Sequence, residues 1–200
     1  MIYDRKLHAS KPALPEGYEK AFTIDLQSDK KTYLIVNLSA LAVAAVLFMI
    51  GCLVTPFRAL YADGSISVLL LRAGVLIVGS VAYIILHELV HGITMRYYGS
   101  KTVKYGFTGS YAYAGSSDFY DRASYIVITL APVVFWGIVL LILCLVLPAS
   151  WFWVAYMIQI FNISGAAGDA YVTFRLLRSP RDILISDSGV KMEVYRRTEE

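Results

Sequence analysis

Four apolar runs, each long enough to cross a bilayer, constrain this chain more than any other feature. They are Tyr33–Val54, closed by Thr55-Pro56; about Ala73 to Met95; Ala123–Leu147, closed by Pro148; and a run that opens with Trp151-Phe152-Trp153 and reaches about Leu177. A helix needs about 20 apolar residues to cross the hydrocarbon core, and each run supplies them. Composition agrees. AVILMFWYC residues make up 58% of the 200 and charged residues 16%, against roughly 45–50% and about 25% in soluble domains. The expected fold is an all-α polytopic membrane protein, a bundle of four transmembrane helices. This excludes a disordered chain, a disulfide scaffold and an ordinary cytosolic enzyme. A net charge of +3 gives no argument for nucleic acid, so the bilayer is the expected partner. Pro132 inside the third run reads as a kink or a packing feature, because membrane helices tolerate proline. Cys52 and Cys144 both lie in apolar runs and read as buried apolar thiols.

Three parts follow: a polar N-terminal segment 1–32, the helical region 33–178, and a tail 179–200. No removable signal peptide is expected in the first segment, which lacks an early apolar core. Ala21–Leu26 could be a short strand. Basic residues set the orientation. Arg5, Lys6, Lys11, Lys20, Lys30 and Lys31 precede helix 1; Arg96, Lys101, Lys104 and Arg122 lie between helices 2 and 3; Arg175, Arg178, Arg181, Lys191, Arg196 and Arg197 follow helix 4. On the other side there are only Arg58 and Arg72. The positive-inside rule then puts both termini and the 96–122 connection in the cytoplasm. Trp151 and Trp153 suit an aromatic anchor at the outer interface, and Arg72 an interfacial anchor. Between helices 2 and 3, Val103, Tyr105 and Phe107 alternate with polar or small residues, Thr108-Gly109-Ser110 supplies a turn, and Tyr111 and Tyr113 alternate again. That pattern reads as a small β-hairpin at the membrane surface or as a Tyr/Gly-rich connecting loop. Ile183–Tyr195 could form another hairpin around Ser188-Gly189.

The acidic side chains and histidines inside the spans are His87, Glu88, His91 and Asp169. Such groups cost roughly 2.5–3.5 kcal/mol or more at a helix centre, so together they call for mutual pairing or a bound cation. His87-Glu88-Leu89-Val90-His91 is an HExxH pattern. Residues i and i+4 of a helix differ by about 40° around the axis and roughly 6 Å along it, so both imidazoles can share one Zn²⁺. Glu88, about 60° from His91, can instead reach a metal-bound water as its base. The pattern recurs by chance in other chains; inside a lipid-spanning helix an unused His-Glu-His cluster would be purged. A catalytic zinc takes three protein ligands and an open position. Asp169 can be the third. His91 lies five residues before Arg96 and Asp169 six before Arg175, both near the cytoplasmic ends of helices that run the same way. Asp169 could alternatively pair with Arg175 or reach water. Asn162, seven residues before Asp169, could bond a substrate carbonyl or an oxyanion, or bond a neighbouring helix.

HELVHG in helix 2 and NISGAAGD in helix 4 resemble the site-2-protease type of intramembrane zinc metallopeptidase. More narrowly, the chain resembles the DUF3267 family of short membrane zincins, through its helix pair, Tyr-rich connection, Leu130-Ala131-Pro132 in the third helix and Gly-Asp in the fourth. The resemblance implies His87, His91 and Asp169 as zinc ligands, Glu88 as the group that activates water, and a multi-pass protein of a prokaryotic cell membrane. The chain departs from site-2 proteases in its Gly-Asp order and in lacking a PDZ-like insertion and an Asn-Pro-Asp-Gly run.

The expected function is a zinc-dependent intramembrane metallopeptidase that hydrolyses a membrane protein or membrane-proximal peptide. Tyr105, Tyr111 and Tyr113 of the hairpin, with Asn162, are the candidate substrate-binding residues. The alternative is a non-catalytic zinc-binding module that binds a partner protein. Glu88 discriminates, because a structural zinc site has no use for a neighbouring general base. Lipid or other amide hydrolysis is a third reading. Topology is directly testable: reporter fusions at Lys31, Ala62, Gly109 and Lys191 should read in, out, in, in, and an outside signal at Gly109 would overturn the arrangement.

Overall fold

The structure is a computed structural model. It describes residues 8–26, 28–109, 111–189 and 191–198. The element order is β1 (Tyr18–Ile24), α1 (Lys30–Val54), a short 3-10 helix (Phe57–Tyr61), α2 (Ile66–Tyr97), β2 (Lys104–Phe107), β3 (Ala112–Asp121), α3 (Arg122–Val146), α4 (Ala149–Gly165), α5 (Ala167–Leu177), β4 (Leu184–Asp187) and β5 (Met192–Arg197). Three helices, α1, α2 and α3, are long and apolar enough to cross a membrane. The chain divides into two compact units. One comprises Met1–Tyr33, Glu88–Pro132 and Gly168–Glu200; the other comprises Leu34–His87 and Val133–Ala167.

The first unit corrects the all-α expectation. It holds a five-stranded antiparallel sheet in the order β1-β5-β4-β3-β2. The hairpin between helices 2 and 3 is present as β2–β3, and Ser110 of its expected turn lies outside the described residues. The hairpin at 183–195 is present as β4–β5, and the short strand expected at 21–26 forms at Tyr18–Ile24. These three segments, remote in sequence, assemble because each has one apolar face. Ile24, Tyr120, Ile185, Met192 and Val194 join Met95, Tyr125, Ile128, Val172 and Leu176 of the helices, and Tyr98 just past α2, in one buried core. Two helix ends in this unit are closed locally. α2 stops at Gly99, whose φ of +99° opens the left-handed region, while Gly99 N–H bonds Arg96 O at 2.9 Å and Ser100 N–H bonds Met95 O at 3.2 Å. α3 starts at Asp121, whose Oδ1 accepts the Ala123 and Ser124 amides at 2.8 and 2.9 Å.

The second unit is built from aromatic packing. Trp153 is completely buried, its ring against Phe48, Phe57 and Tyr156, and Tyr156 O–H donates to Leu47 O at 2.7 Å. Trp153 is therefore a core residue, not an interfacial anchor. Arg72 is also buried. It donates to Leu60 O at 2.7 Å and to Asp63, and its guanidinium lies over Trp151, so its charge is matched inside the protein. Both cysteines are free, and Cys52 is exposed rather than buried.

The fourth apolar run is not one helix. It breaks at Ala166, whose ψ of 12° departs from helical geometry, into α4 of 17 residues and α5 of 11. Gly165 and Gly168 flank the break, and glycine is the costliest ordinary residue in a helix interior. By contrast α3 runs unbroken through Pro132.

Candidate metal centre

α2 carries His87, Glu88 and His91 on successive turns, and α5 carries Asp169 in its first turn. His91 is 8% exposed, and its Nε2 lies 3.7 Å from Asp169 Oδ1. His87 precedes His91 by one turn of the same uninterrupted helix. One ligand atom from each of His87, His91 and Asp169 falls within 4.8 Å of the others. Ligand atoms of a tetrahedral zinc with N and O donors lie roughly 3.3 Å apart. The His91–Asp169 separation is close to that, and the donor set, two imidazoles and a carboxylate, is one zinc accepts.

Hydrogen bonds decide which ring nitrogen each histidine offers. Ile128 O lies 2.9 Å from His91 Nδ1. A carbonyl only accepts, so Nδ1 carries the hydrogen and the lone pair is on Nε2, the atom facing Asp169. That carbonyl is unusual. In a regular helix Ile128 O would accept the amide of residue 132, but residue 132 is proline and has no N–H. Pro132 thus withdraws the helical donor, and His91 supplies one. A kink or packing feature, the sequence reading of Pro132, leaves this role out; the available signal is that His91 needs an acceptor and an in-helix proline releases one four residues earlier.

His87 is oriented by a relay. Tyr83 O–H donates to Asn162 Oδ1 at 3.0 Å, so its oxygen accepts the His87 Nδ1–H at 2.8 Å, which again places the lone pair on Nε2. Asn162 is fully buried and donates to Val133 O at 3.2 Å and Gln159 Oε1 at 3.3 Å. The first of these bonds reaches α3 and the second stays within α4. Of the two roles open to Asn162 from sequence, the Val133 contact is the bond to a neighbouring helix.

Glu88 is half-buried, and the Ala114 amide of β3 is directed towards its carboxylate. The β2–β3 ladder explains why that amide is available. Thr108 N–H bonds Tyr111 O, and hydrogen-bonded pairs alternate from there, so Phe107/Ala112 and Tyr105/Ala114 are non-bonded pairs. Their amides point away from the partner strand. On β3 the Ala114 amide therefore points at Glu88; on β2 the Tyr105 and Phe107 amides face the sheet's outer edge.

The three tyrosines expected at the substrate site take different places. The Tyr105 ring lies on Gly92, one residue beyond His91, where a Cβ would come within 2.1 Å of its hydroxyl. The Tyr113 ring lies between Gly106 and Gly189. Tyr111 is half-buried beside the turn. A residue that the sequence does not reveal joins them. Asp187, at the end of β4, interacts electrostatically with Glu88, His91 and Asp169. Its Oδ2 accepts the Tyr125 O–H and its Oδ1 the Gly189 amide at 2.8 Å. Burial pushes its carboxyl above the ordinary range, and these two bonds pull it back. No local pattern marks it: in the sequence Asp187 is one polar residue beside the Ser188-Gly189 turn.

Three helices of span length and apolar composition fit a membrane protein. The model of the DUF3267 family, described as "Putative zincin peptidase", matches residues 80–184, just over half of the chain, and the chain belongs to that family. The matched stretch contains His87, Glu88, His91 and Asp169 and ends before Asp187. No curated protein and no solved structure matches the chain.

The proline contact gives a test. Pro132→Ala returns a helical amide to Ile128 O, in competition with His91. Zinc affinity, measured by titration against a chelator, should fall about tenfold, the scale of lost outer-shell bonds to a ligand histidine. His87→Ala and His91→Ala should each abolish tight binding, and unchanged zinc in both would remove the basis of the site.

Proposed function

We propose that this chain is a zinc-dependent membrane peptidase that hydrolyses a peptide bond in or next to the bilayer. The observation that carries the reading is the convergence of the His87, His91 and Asp169 ligand atoms within 4.8 Å, with Glu88 beside His87 on the same helix. Zinc bound there would polarise the scissile carbonyl and make water acidic enough to lose a proton near neutral pH. The remaining work falls to the chain. Glu88 takes the proton as water oxygen bonds to the carbonyl carbon, then passes it to the amide nitrogen as the C–N bond breaks. Ile128 O and Tyr83 hold the two imidazoles in one tautomer throughout. Membership in a family of zincin peptidases supports the metallopeptidase class. The site-2-protease-like, intramembrane form of the reaction, a fourth crossing completed by α4 and α5, and cytoplasmic termini are part of the proposal, supported by the placement of Lys and Arg and by the apolar α2.

Glu88→Gln should keep zinc and the fold but lose hydrolysis by several orders of magnitude, because it removes a proton acceptor and not a ligand. Equal cleavage by that variant would exclude this mechanism.

A peptidase must present an extended backbone to water, and a strand edge can hold one by β-addition. The edge beside Glu88 belongs to β3, at Ala112 and Ala114. Ala112→Pro removes an amide from that edge without breaking the hairpin ladder, and Phe107→Pro does the same on the far edge of β2. The first should raise KM with zinc content unchanged; the second should leave KM alone. The reverse order of effects would move substrate to β2.

A further inference from the structure

The β3 edge that faces Glu88 is short, and the chain closes one end of it. Its outward amides fall at Ala112 and Ala114. The next position along, Ser116, is already paired with Asp187 of β4, and among the described residues no strand pairs with the edge before it. Beyond Asp187 the Ser188-Gly189 turn lies flat on β3. A Cβ on Gly115 would fall 2.3 Å from the Ser188 carbonyl carbon, and the Tyr113 ring covers Gly189. A strand added beside Ala112–Ala114 therefore runs into the end of β4 within one or two residues of the level of Glu88.

The group at the closed end is a carboxylate. The Tyr125 hydroxyl and the Gly189 amide hold Asp187 in place, and both donors are neutral, so neither brings a counter-charge to it. Each carboxylate oxygen has a further lone pair to offer. Strand direction then selects what meets it. β4 is antiparallel to β3, so an antiparallel substrate strand continues β4's direction and brings its N-terminus to Asp187. A parallel strand would bring a C-terminal carboxylate against it, which repels. An α-amino group, with an ordinary pKa of about 7.7–8.0, is largely protonated at neutral pH.

We propose that this chain is an exopeptidase for free N-termini, in which Asp187 receives the substrate's α-ammonium group and one or two residues are released. The inference rests on the peptidase reading above, and deepens it by naming the substrate class. The bond changes are those of hydrolysis: the water oxygen joins the carbonyl carbon, the C–N bond breaks, and the water protons end on the new carboxyl and amine groups without any further reactant.

The full chain, zinc-loaded in detergent micelles, is given an alanine-rich peptide amide with a free N-terminus and, separately, its N-acetylated form. Mass spectrometry should show loss of one or two residues from the free peptide and at least about tenfold slower cleavage of the acetylated one. Asp187→Asn should raise KM for the free peptide towards that of the acetylated form, with less change in kcat. Equal rates for the two peptides, or cleavage in their interior, would overturn the proposal. If neither peptide is cut, both are titrated against Glu88→Gln. Tighter binding of the free amine, lost on adding Asp187→Asn, would support the ammonium site and place the failure in the peptidase reading. Equal affinity, or no binding, would overturn the ammonium site itself.

Discussion

Two imidazoles in one apolar helix each carry a ring N–H that water cannot satisfy, and much of the structure is arranged around those two hydrogens. A polar hydrogen buried without a partner costs several kcal/mol in an apolar setting, of order 2–7 depending on reference. His91 gives its hydrogen to Ile128 O, a carbonyl that Pro132 has released from the helix ladder. His87 gives its hydrogen to Tyr83, which passes the demand to Asn162 and on to Val133 O. In both cases the hydrogen goes to Nδ1 and the lone pair to Nε2. Residues outside the His87, His91 and Asp169 group thus fix which ring nitrogen each imidazole offers.

The sequence is most legible where a periodicity and a physical cost coincide. His87, Glu88 and His91 stand out because helical spacing and the cost of charge in lipid point to the same residues. The β2–β3 and β4–β5 hairpins are legible from alternation and Gly turns. What joins them is not. The sheet pairs β1 with β5 and β3 with β4 across most of the chain, and strand alternation records which face is apolar but not which strand lies beside it. Asp187 escapes for the same reason: it reads as a polar tail residue until Tyr125, 62 residues earlier, is seen to bond it. Trp153 is misplaced from sequence because an aromatic residue at a helix start fits a membrane interface and a packed core equally well.

Glycine has two distinct uses around the site. Gly92 and Gly115 have ordinary backbone angles and are needed for what approaches them, the Tyr105 ring and the β4–β5 turn respectively. Gly99 is needed for its own positive φ, which ends α2. The first two let the Tyr105 ring lie on α2 and the β4–β5 turn lie on β3. Sequence alone shows only that glycines are there; the contacts separate the two uses.

The break at Ala166 has a similar logic. Had the fourth apolar run formed one helix, Asp169 would lie mid-helix, with the amides of its own turn spent on carbonyls one turn back. Instead it falls in the first turn of α5, where the leading amides have no helical acceptor and the helix dipole presents its positive end. A carboxylate there is favoured by about 0.3–1 kcal/mol, and by up to ~2 kcal/mol where partly buried. Ser164, Gly165 and Gly168 lie around Ala166. The weak helix propensity of the serine and the glycines places the interruption where the Asp169 carboxylate gains from it. The same interruption shortens α4 to 17 residues, so that the fourth apolar run, alone of the four, forms no helix of span length.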